Sequence, residues 1–420
     1  MSISVVIVGC GARGGEVYGR YFRDNGHKIV ALCDANNSRL EAFSEELGVS
    51  KDKLFRSYDE LFACGKIADV CVVSVFDNDH YDVAMKAMAL GYDLLLEKPV
   101  SGDVKECLSI RDYAKSHGRT VTVCHVMRYT SYYRYLKKVI DDGRLGDLRG
   151  IEQTEDVAYW HMAHAFVRGN FRNSDETSPM ILQKCCHDMD LLVWLTGRKP
   201  SVITSMGDLS YFNRAHAPEG HAMRCTDCSV KGCPFNAVDF YIGNYKELKR
   251  TGRPVNVWPY AQVAVEPDEE RLTEALKKGP WGRCVYECDN NVVDRQWATI
   301  RFSDGLIGTL TMCGFSADGG RRTHVYGTEG EAVLDEQSRT VTVQRFGEKK
   351  LIVGFDELAT DFSGHGGGDK IMLDEFVGAI EGTGSVDTDI AVSVYSHVMC
   401  YCAEKSRLNG GQPVVCEDID

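Results

Sequence analysis

Through the first third of the chain, short apolar runs alternate with segments of helical period. Residues 2–8, 27–33, 70–76, 93–96 and 120–126 read as strands. Between them, the stretch up to about residue 24 and residues 38–47, 78–90 and 104–116 carry helical spacing. Strands that alternate with helices predict right-handed βαβ units around a parallel sheet buried on both faces. Beyond residue 126 the period changes. From residue 296 to about 355 apolar and polar positions alternate, with Ser303-Asp304-Gly305 as a hairpin turn between two such runs. This pattern predicts strands covered on one face only. The fold class is α/β: a doubly wound parallel sheet in residues 1–126, then an α+β domain in 127–420 with a large, mostly antiparallel open sheet. A helix near residues 390–408, apolar along one side, is expected to pack back on the core.

The first turn of the parallel domain reads Gly9-Cys10-Gly11-Ala12-Arg13-Gly14, a G-x-G-x-x-G sequence between a strand and a helix. In a Rossmann domain Gly9 permits the tight turn, Gly11 lets the backbone approach a pyrophosphate, and Gly14 lets helix and strand pack closely. The helix start offers free N–H groups and partial positive charge to the phosphates, so Ala12 and Arg13 join the cofactor-binding set. Asp34 ends the next strand, 20 residues after Gly14. Its carboxylate can accept both ribose hydroxyls and would repel a 2′-phosphate, which favours NAD over NADP. Arg39 nearby softens that preference.

Composition narrows the function. The chain has 420 residues, with 44% hydrophobic and 26% charged, as in ordinary globular proteins. A net charge of −13 argues against a general nucleic-acid binder or a polybasic membrane binder. The opening MSISVVIVGCG has no basic region and reads as a buried strand, and no apolar run approaches the roughly 18 residues of a membrane span. A soluble, cytoplasmic protein is expected. There the 17 cysteines should be mostly reduced, and Cys10, Cys33, Cys71 and Cys124 read as core filling.

The strand at 93–96 leads into Glu97-Lys98-Pro99, which puts a lysine at the ligand crevice of a doubly wound sheet. Asp77 to His80, the run Cys124-His125-Val126-Met127-Arg128-Tyr129, the segment Cys186-His187-Asp188-Met189-Asp190 and Gly327-Thr328-Glu329-Gly330 complete a pattern over nearly the whole chain. Together with the glycine turn, the pattern resembles the glucose-fructose oxidoreductase / inositol dehydrogenase / rhizopine catabolism (Gfo/Idh/MocA) family. The resemblance implies an NAD(P)-dependent oxidoreductase acting on secondary alcohols of sugars and cyclitols. It implies that Lys98 contacts substrate and nicotinamide ribose, that His187 is the acid/base group, and that His80 and Glu97 belong to the cofactor site. Arg128 and Tyr129 are placed with the substrate. Many relatives carry Asp four residues before this histidine; here Gln183 stands there, followed by Lys184. If one helix carries both, Lys184 and His187 share a face, and Lys184 lowers the histidine's pKa.

Trp160, His161, His164 and Arg168 offer rings and forked donors suited to carbohydrate, and a glycine-rich lead-in to a helix is expected to bring His365 to the substrate. Between about residues 207 and 290 lies an insertion with Cys225, Cys228 and Cys233. Cys284 is the first choice to complete a thiolate set, with Cys288 and His221 as alternatives. A structural zinc is the expected metal and an iron–sulfur cluster the runner-up. A dimer or tetramer through the open sheet is expected. Two further functions stay open: glycoside cleavage by oxidation, elimination and re-reduction on retained NAD, and a non-enzymatic cofactor-binding regulator.

Overall fold

The computed structural model describes residues 2–416. Its first sheet holds β1 (Ser4–Val8), β2 (Lys28–Cys33), β3 (Leu54–Phe55), β4 (Val70–Val73), β5 (Asp93–Leu96) and β6 (Val121–Val123). The strands are all parallel, in the order β3-β2-β1-β4-β5-β6. The order reverses between β1 and β4, which opens a crevice at their carboxyl ends. Val5 to Val8 and Val70 to Val73 are buried on both faces, as their unbroken apolar runs require.

The second sheet has nine strands: β7 (Leu148–Ala158), β8 (Pro200–Asp208), β9 (Arg295–Phe302), β10 (Ile307–Ser316), β11 (Gly320–Gly327), β12 (Gly330–Asp335), β13 (Thr340–Arg345), β14 (Leu351–Gly354) and β15 (Val414–Val415). Their order is β14-β13-β12-β11-β7-β10-β9-β8-β15. Only β7 and β10 pair in parallel; the other pairings are antiparallel. In β9, Gln296, Ala298, Ile300 and Phe302 point inward while Arg295, Trp297, Thr299 and Arg301 point outward, the two-residue period of a half-buried strand. Helices Cys186–Thr196, Ser131–Asp141 and Ile390–Leu408 cover the inner face. The outer face carries exposed Met206, Trp297 and Ile307.

Two features position the site. The segment between β8 and β9 builds a small core of its own from Tyr241, Tyr245, Tyr260, Leu272 and Leu276. The helix Ile390–Leu408 reaches back to the first sheet: Val123 N–H donates to Thr388 O at 2.9 Å, and Val100 N–H donates to His397 Nε2 at 2.8 Å. Among the described residues no helix is long and apolar enough to cross a membrane.

Candidate active site

The three glycines of the first turn are there for three different reasons. Gly9 has φ +94°, and a Cβ there would meet Ser74 O at 2.3 Å. A Cβ on Gly14 would meet Gly9 O at 1.9 Å. A Cβ on Gly11 would meet nothing within 4 Å. Gly11 therefore fronts an open cradle, which fits a pyrophosphate approaching the backbone. The first turns, Ala12–Gly19, wind wider than an α-helix, a form frequent at functional sites. Asp34 is held at the mouth: Oδ2 accepts Cys10 N–H and Oδ1 accepts Asn36 N–H, both at 2.8 Å. Arg39 Nη1 lies 3.3 Å from Asp34. The Arg13 side chain turns away from the cradle and clamps the domains together. It donates to Glu97 at 2.6 Å, to Tyr18 Oη at 2.7 Å and to Asp369 at 2.7 Å.

At the end of β5, Lys98 Nζ donates to Gln183 O at 3.1 Å. His187 sits in the first turn of the helix Cys186–Thr196 and is 6% exposed. Burial, then the charges of Lys98 and Arg321, hold its pKa well below the usual histidine range, so the ring is neutral near pH 7. A cation does act on His187, but it is not Lys184. One helix ends at Gln183 and the next begins at Cys186, so Lys184 lies in the break. It pairs instead with Glu155 at 2.8 Å and lowers the pKa of His161. Glu155 also meets Arg321 at 2.6 Å, and Arg321 donates to Asp188 at 2.9 Å. Burial raises Asp188 to about 6 against the pull of Arg321. Gln183, where relatives carry Asp, donates to Asp77 at 2.6 Å.

His161 is brought to this centre, since it feels Lys184, Arg321 and Lys98. Its ring stacks with Trp160 at 5.7 Å and meets the half-exposed Trp258 of the inserted segment at 4.9 Å. His365, with φ +43° in the left-handed region, lies 6.4 Å ring to ring from His187 and 3.2 Å from Asp369. Glu155, Arg321, Asp188 and Trp258 carry no sequence signature as a set. The nearest signal is Gln153 and Glu155 on inward positions of β7, where alternation calls for apolar residues.

Several residues assigned from sequence lie elsewhere. Arg128 is buried and bidentate to Asp190, with both contacts at 2.6 Å, and it donates a third bond to Asp387 O at 2.7 Å. Tyr129 is fully buried against Thr388. Both are core residues. His80 spends both ring nitrogens on the carbonyls of Pro99 and Val75, at 2.7 and 3.1 Å, so it shapes the Lys98 turn. His164 is locked between Tyr241 Oη and Gln262 Oε1. Arg168 is buried with its donors on Arg283 O and Phe235 O.

The metal expectation is corrected too. Among the described residues no three His, Cys, Asp or Glu side chains are arranged to hold an ion. The cation at the cysteine loop is Arg168, which donates to Cys225 Sγ at 3.5 Å. Burial raises the thiols of Cys233 and Cys288, and pushes Cys284 to about 11, which keeps protons on them. His221 is taken by Glu287 at 2.8 Å. Neither a zinc nor an iron–sulfur site is supported, because arginine and backbone carbonyls do the holding.

Residues 3–125 match a family model described as oxidoreductase family, NAD-binding Rossmann fold. Residues 137–414 match its companion, the C-terminal alpha/beta domain. The chain is 22% identical over 369 residues to YteT of Bacillus subtilis (strain 168), covering 83% of this chain and 82% of that one. It is 28% identical over 199 residues to an inositol 2-dehydrogenase of Ralstonia nicotianae, covering 47% of this chain and 55% of the relative. The match thus spans about half the length of that enzyme. Among solved structures, a levoglucosan dehydrogenase in complex with NADH and levoglucosan superposes with TM-score 0.71 at 16% identity, over all of both chains. An Agrobacterium radiobacter oxidoreductase in complex with NAD+, L-tartaric acid and magnesium gives 0.69 at 12% identity, over 99% of each. At these identities the likeness shows the fold alone.

Proposed function

The chain belongs to the Gfo/Idh/MocA oxidoreductase family, and on that footing we propose that it transfers a hydride between NAD and a secondary alcohol of a sugar, cyclitol or glycoside. The observation that carries this reading is the meeting of Lys98 with neutral His187, whose ring lies 6.4 Å from His365, itself 3.4 Å from Arg13 of the glycine turn. Bound at Gly9, Gly11, the Ala12–Arg13 backbone and Asp34, NAD supplies the hydride acceptor. The chain supplies the rest. His187 is neutral and takes the hydroxyl proton. The Lys98 ammonium stabilises negative charge developing on the alcohol oxygen. Glu155, Arg321 and Asp188 hold Lys184 and the inner wall in place. Trp160, His161 and Trp258 offer aromatic faces to the sugar's C–H surface.

A screen of NAD reduction against sugars, cyclitols and aryl glycosides tests this, with aglycone release followed in parallel. NADH formation with any member supports the reading; no NADH and no aglycone across the panel sinks it. Redox-assisted glycoside cleavage is the second reading. The Lys184–Glu155 pair favours it, because elimination needs an acid/base group besides His187. Aglycone release with no net NADH would select it.

Asp34→Ala is expected to raise KM for NAD by about tenfold, the loss of a charged hydrogen-bond acceptor. KM for NADP should change little or fall, and equal effects on both would remove Asp34 from ribose recognition. The exposed Met206, Trp297 and Ile307 on the open sheet support a dimer or tetramer through that face. Light scattering should then give two or four times 46.7 kDa, and a monomer mass would refute it.

A further inference from the structure

The hydrogen bond of the Lys98 ammonium goes to a main-chain oxygen of the other domain, Gln183 O, at 3.1 Å. Gln183 closes the helix Met180–Gln183, which has only four residues and breaks at Lys184. A single turn this short does not hold its own shape. Its last carbonyls lack partners within the helix, so one of them is open to a lysine. What fixes the place of Gln183 O therefore lies outside the segment, and Asp77 meets that need. It opens the helix Asp77–Ala89 behind β4, at the end of the sheet where the strand order reverses. Asp77 is 5% exposed, and one of its oxygens takes both ends of the short segment. Oδ2 accepts from Ser178 Oγ at 2.7 Å, just before the helix, and from Gln183 Nε2 at 2.6 Å, at its end. The amide has one orientation here, because a carboxylate only accepts and the NH2 end must face it. Next along the chain, Asn78 Nδ2 donates to Glu176 O at 2.8 Å. The start of one helix thus grips residues 176–183 by three bonds.

We propose that Asp77 is a positioning residue for Lys98, acting through Gln183. A carboxylate of the first domain fixes a residue of the second, and the main-chain oxygen of that residue fixes the lysine of the first. The ammonium is then held at one point of the cleft before a substrate arrives, so it need not be reoriented at the reacting step. A neutral residue suits position 183, since a second carboxylate there would stand at hydrogen-bonding distance from Asp77 and repel it. The proposal rests on reading Lys98 as the group that stabilises the alcohol oxygen.

Carbon-13 relaxation of the lysine Cε groups tests this without any turnover, with the Lys98 signal assigned by its loss in Lys98→Met. In the wild type the Lys98 Cε should be far more ordered than that of surface lysines. Asp77→Ala and Gln183→Met cut the same bond from its two sides, and each should bring Lys98 toward surface mobility. Asp77→Asn should keep it ordered, because the new amide oxygen can accept from both Ser178 and Gln183. A wild-type Lys98 as mobile as surface lysines, or an unchanged Lys98 in Gln183→Met, overturns the proposal; these two decide alone if Asp77→Ala does not fold. With a substrate from the screen, Asp77→Ala should lower kcat about 10–100-fold at unchanged KM for NAD, and Asp77→Asn should recover most of it. In a Lys98→Met background Asp77→Ala should cost nothing more, since its effect runs through the lysine. A further loss there would make Asp77 a merely structural residue and overturn the proposal. An enzyme inactive on the whole panel would fail the functional reading and leave the relaxation result to decide the positioning.

Discussion

Lys98→Met is expected to lower kcat about 10²–10³-fold while the fold and NAD affinity stay within a small factor of wild type. Among the described residues the Lys98 ammonium donates one hydrogen bond, to Gln183 O, so little packing depends on its charge. What it supplies is a cation where negative charge develops. The same substitution has a second, independent signature. Lys98 is, after burial, the largest influence keeping His187 below its usual range. In the wild type the acid limb of kcat/KM should therefore lie below about pH 6.5. A neighbouring cation disfavours the imidazolium; removing it favours protonation, so the limb of the residual activity should move to higher pH. A pH profile of wild type and variant checks both points. Full turnover would remove Lys98 from the chemistry, and an unmoved limb would show that burial and the remaining charges, Arg321 first, set His187.

Arg128→Met is expected to cost about 3–5 kcal/mol of stability, the usual effect of stripping one partner from a buried ion pair. Arg128 is 3% exposed and gives its two bidentate bonds to an equally buried Asp190. Burial by itself would raise the Asp190 pKa; Arg128 and His125 overcome it and hold the carboxyl at about 2. Its stabilising share is thus present above the unfolded carboxyl pKa, near 3.9, and is lost as pH falls toward 2. Without Arg128 burial pushes the pKa upward, so the native variant binds the extra proton and gains stability as pH falls. The deficit should be largest near pH 7 and smaller near pH 4. Urea unfolding at both pH values measures it, and a variant of wild-type stability with a raised substrate KM would return Arg128 to the cleft.

The Rossmann half was legible because its signals are local. The alternation of strand and helix, the G-x-G-x-x-G turn and Asp34 all lie within one βαβ stretch. Arg128 and Tyr129 were misplaced for a physical reason. They follow a strand whose end faces the crevice, but the tight turn Val126–Tyr129 rotates them inward toward Asp190 and Thr388. Lys184 misled in the same way, since a helix break separates it from His187. Glu155 and Arg321 were illegible because they become neighbours only through pairing of β7 with β11, where they stand directly opposite. The parallel β7–β10 pairing is equally non-local, and periodicity within one strand carries no trace of it. For the cysteines, spacing suggested ligands, but Arg168, far away in sequence, supplies the charge at that loop.

The return of the helix Ile390–Leu408 to the first sheet sets an order for synthesis. β6 is an edge strand: one side pairs with β5, and on its outer side Val123 and Thr122 pair with Thr388 and Asp389. At about 5–20 residues per second, translation leaves that edge bare for tens of seconds after the nucleotide-binding half has emerged. A bare strand edge is a template for pairing with another nascent chain. The half that looks most like a self-sufficient domain therefore carries an open edge until the last helix is made.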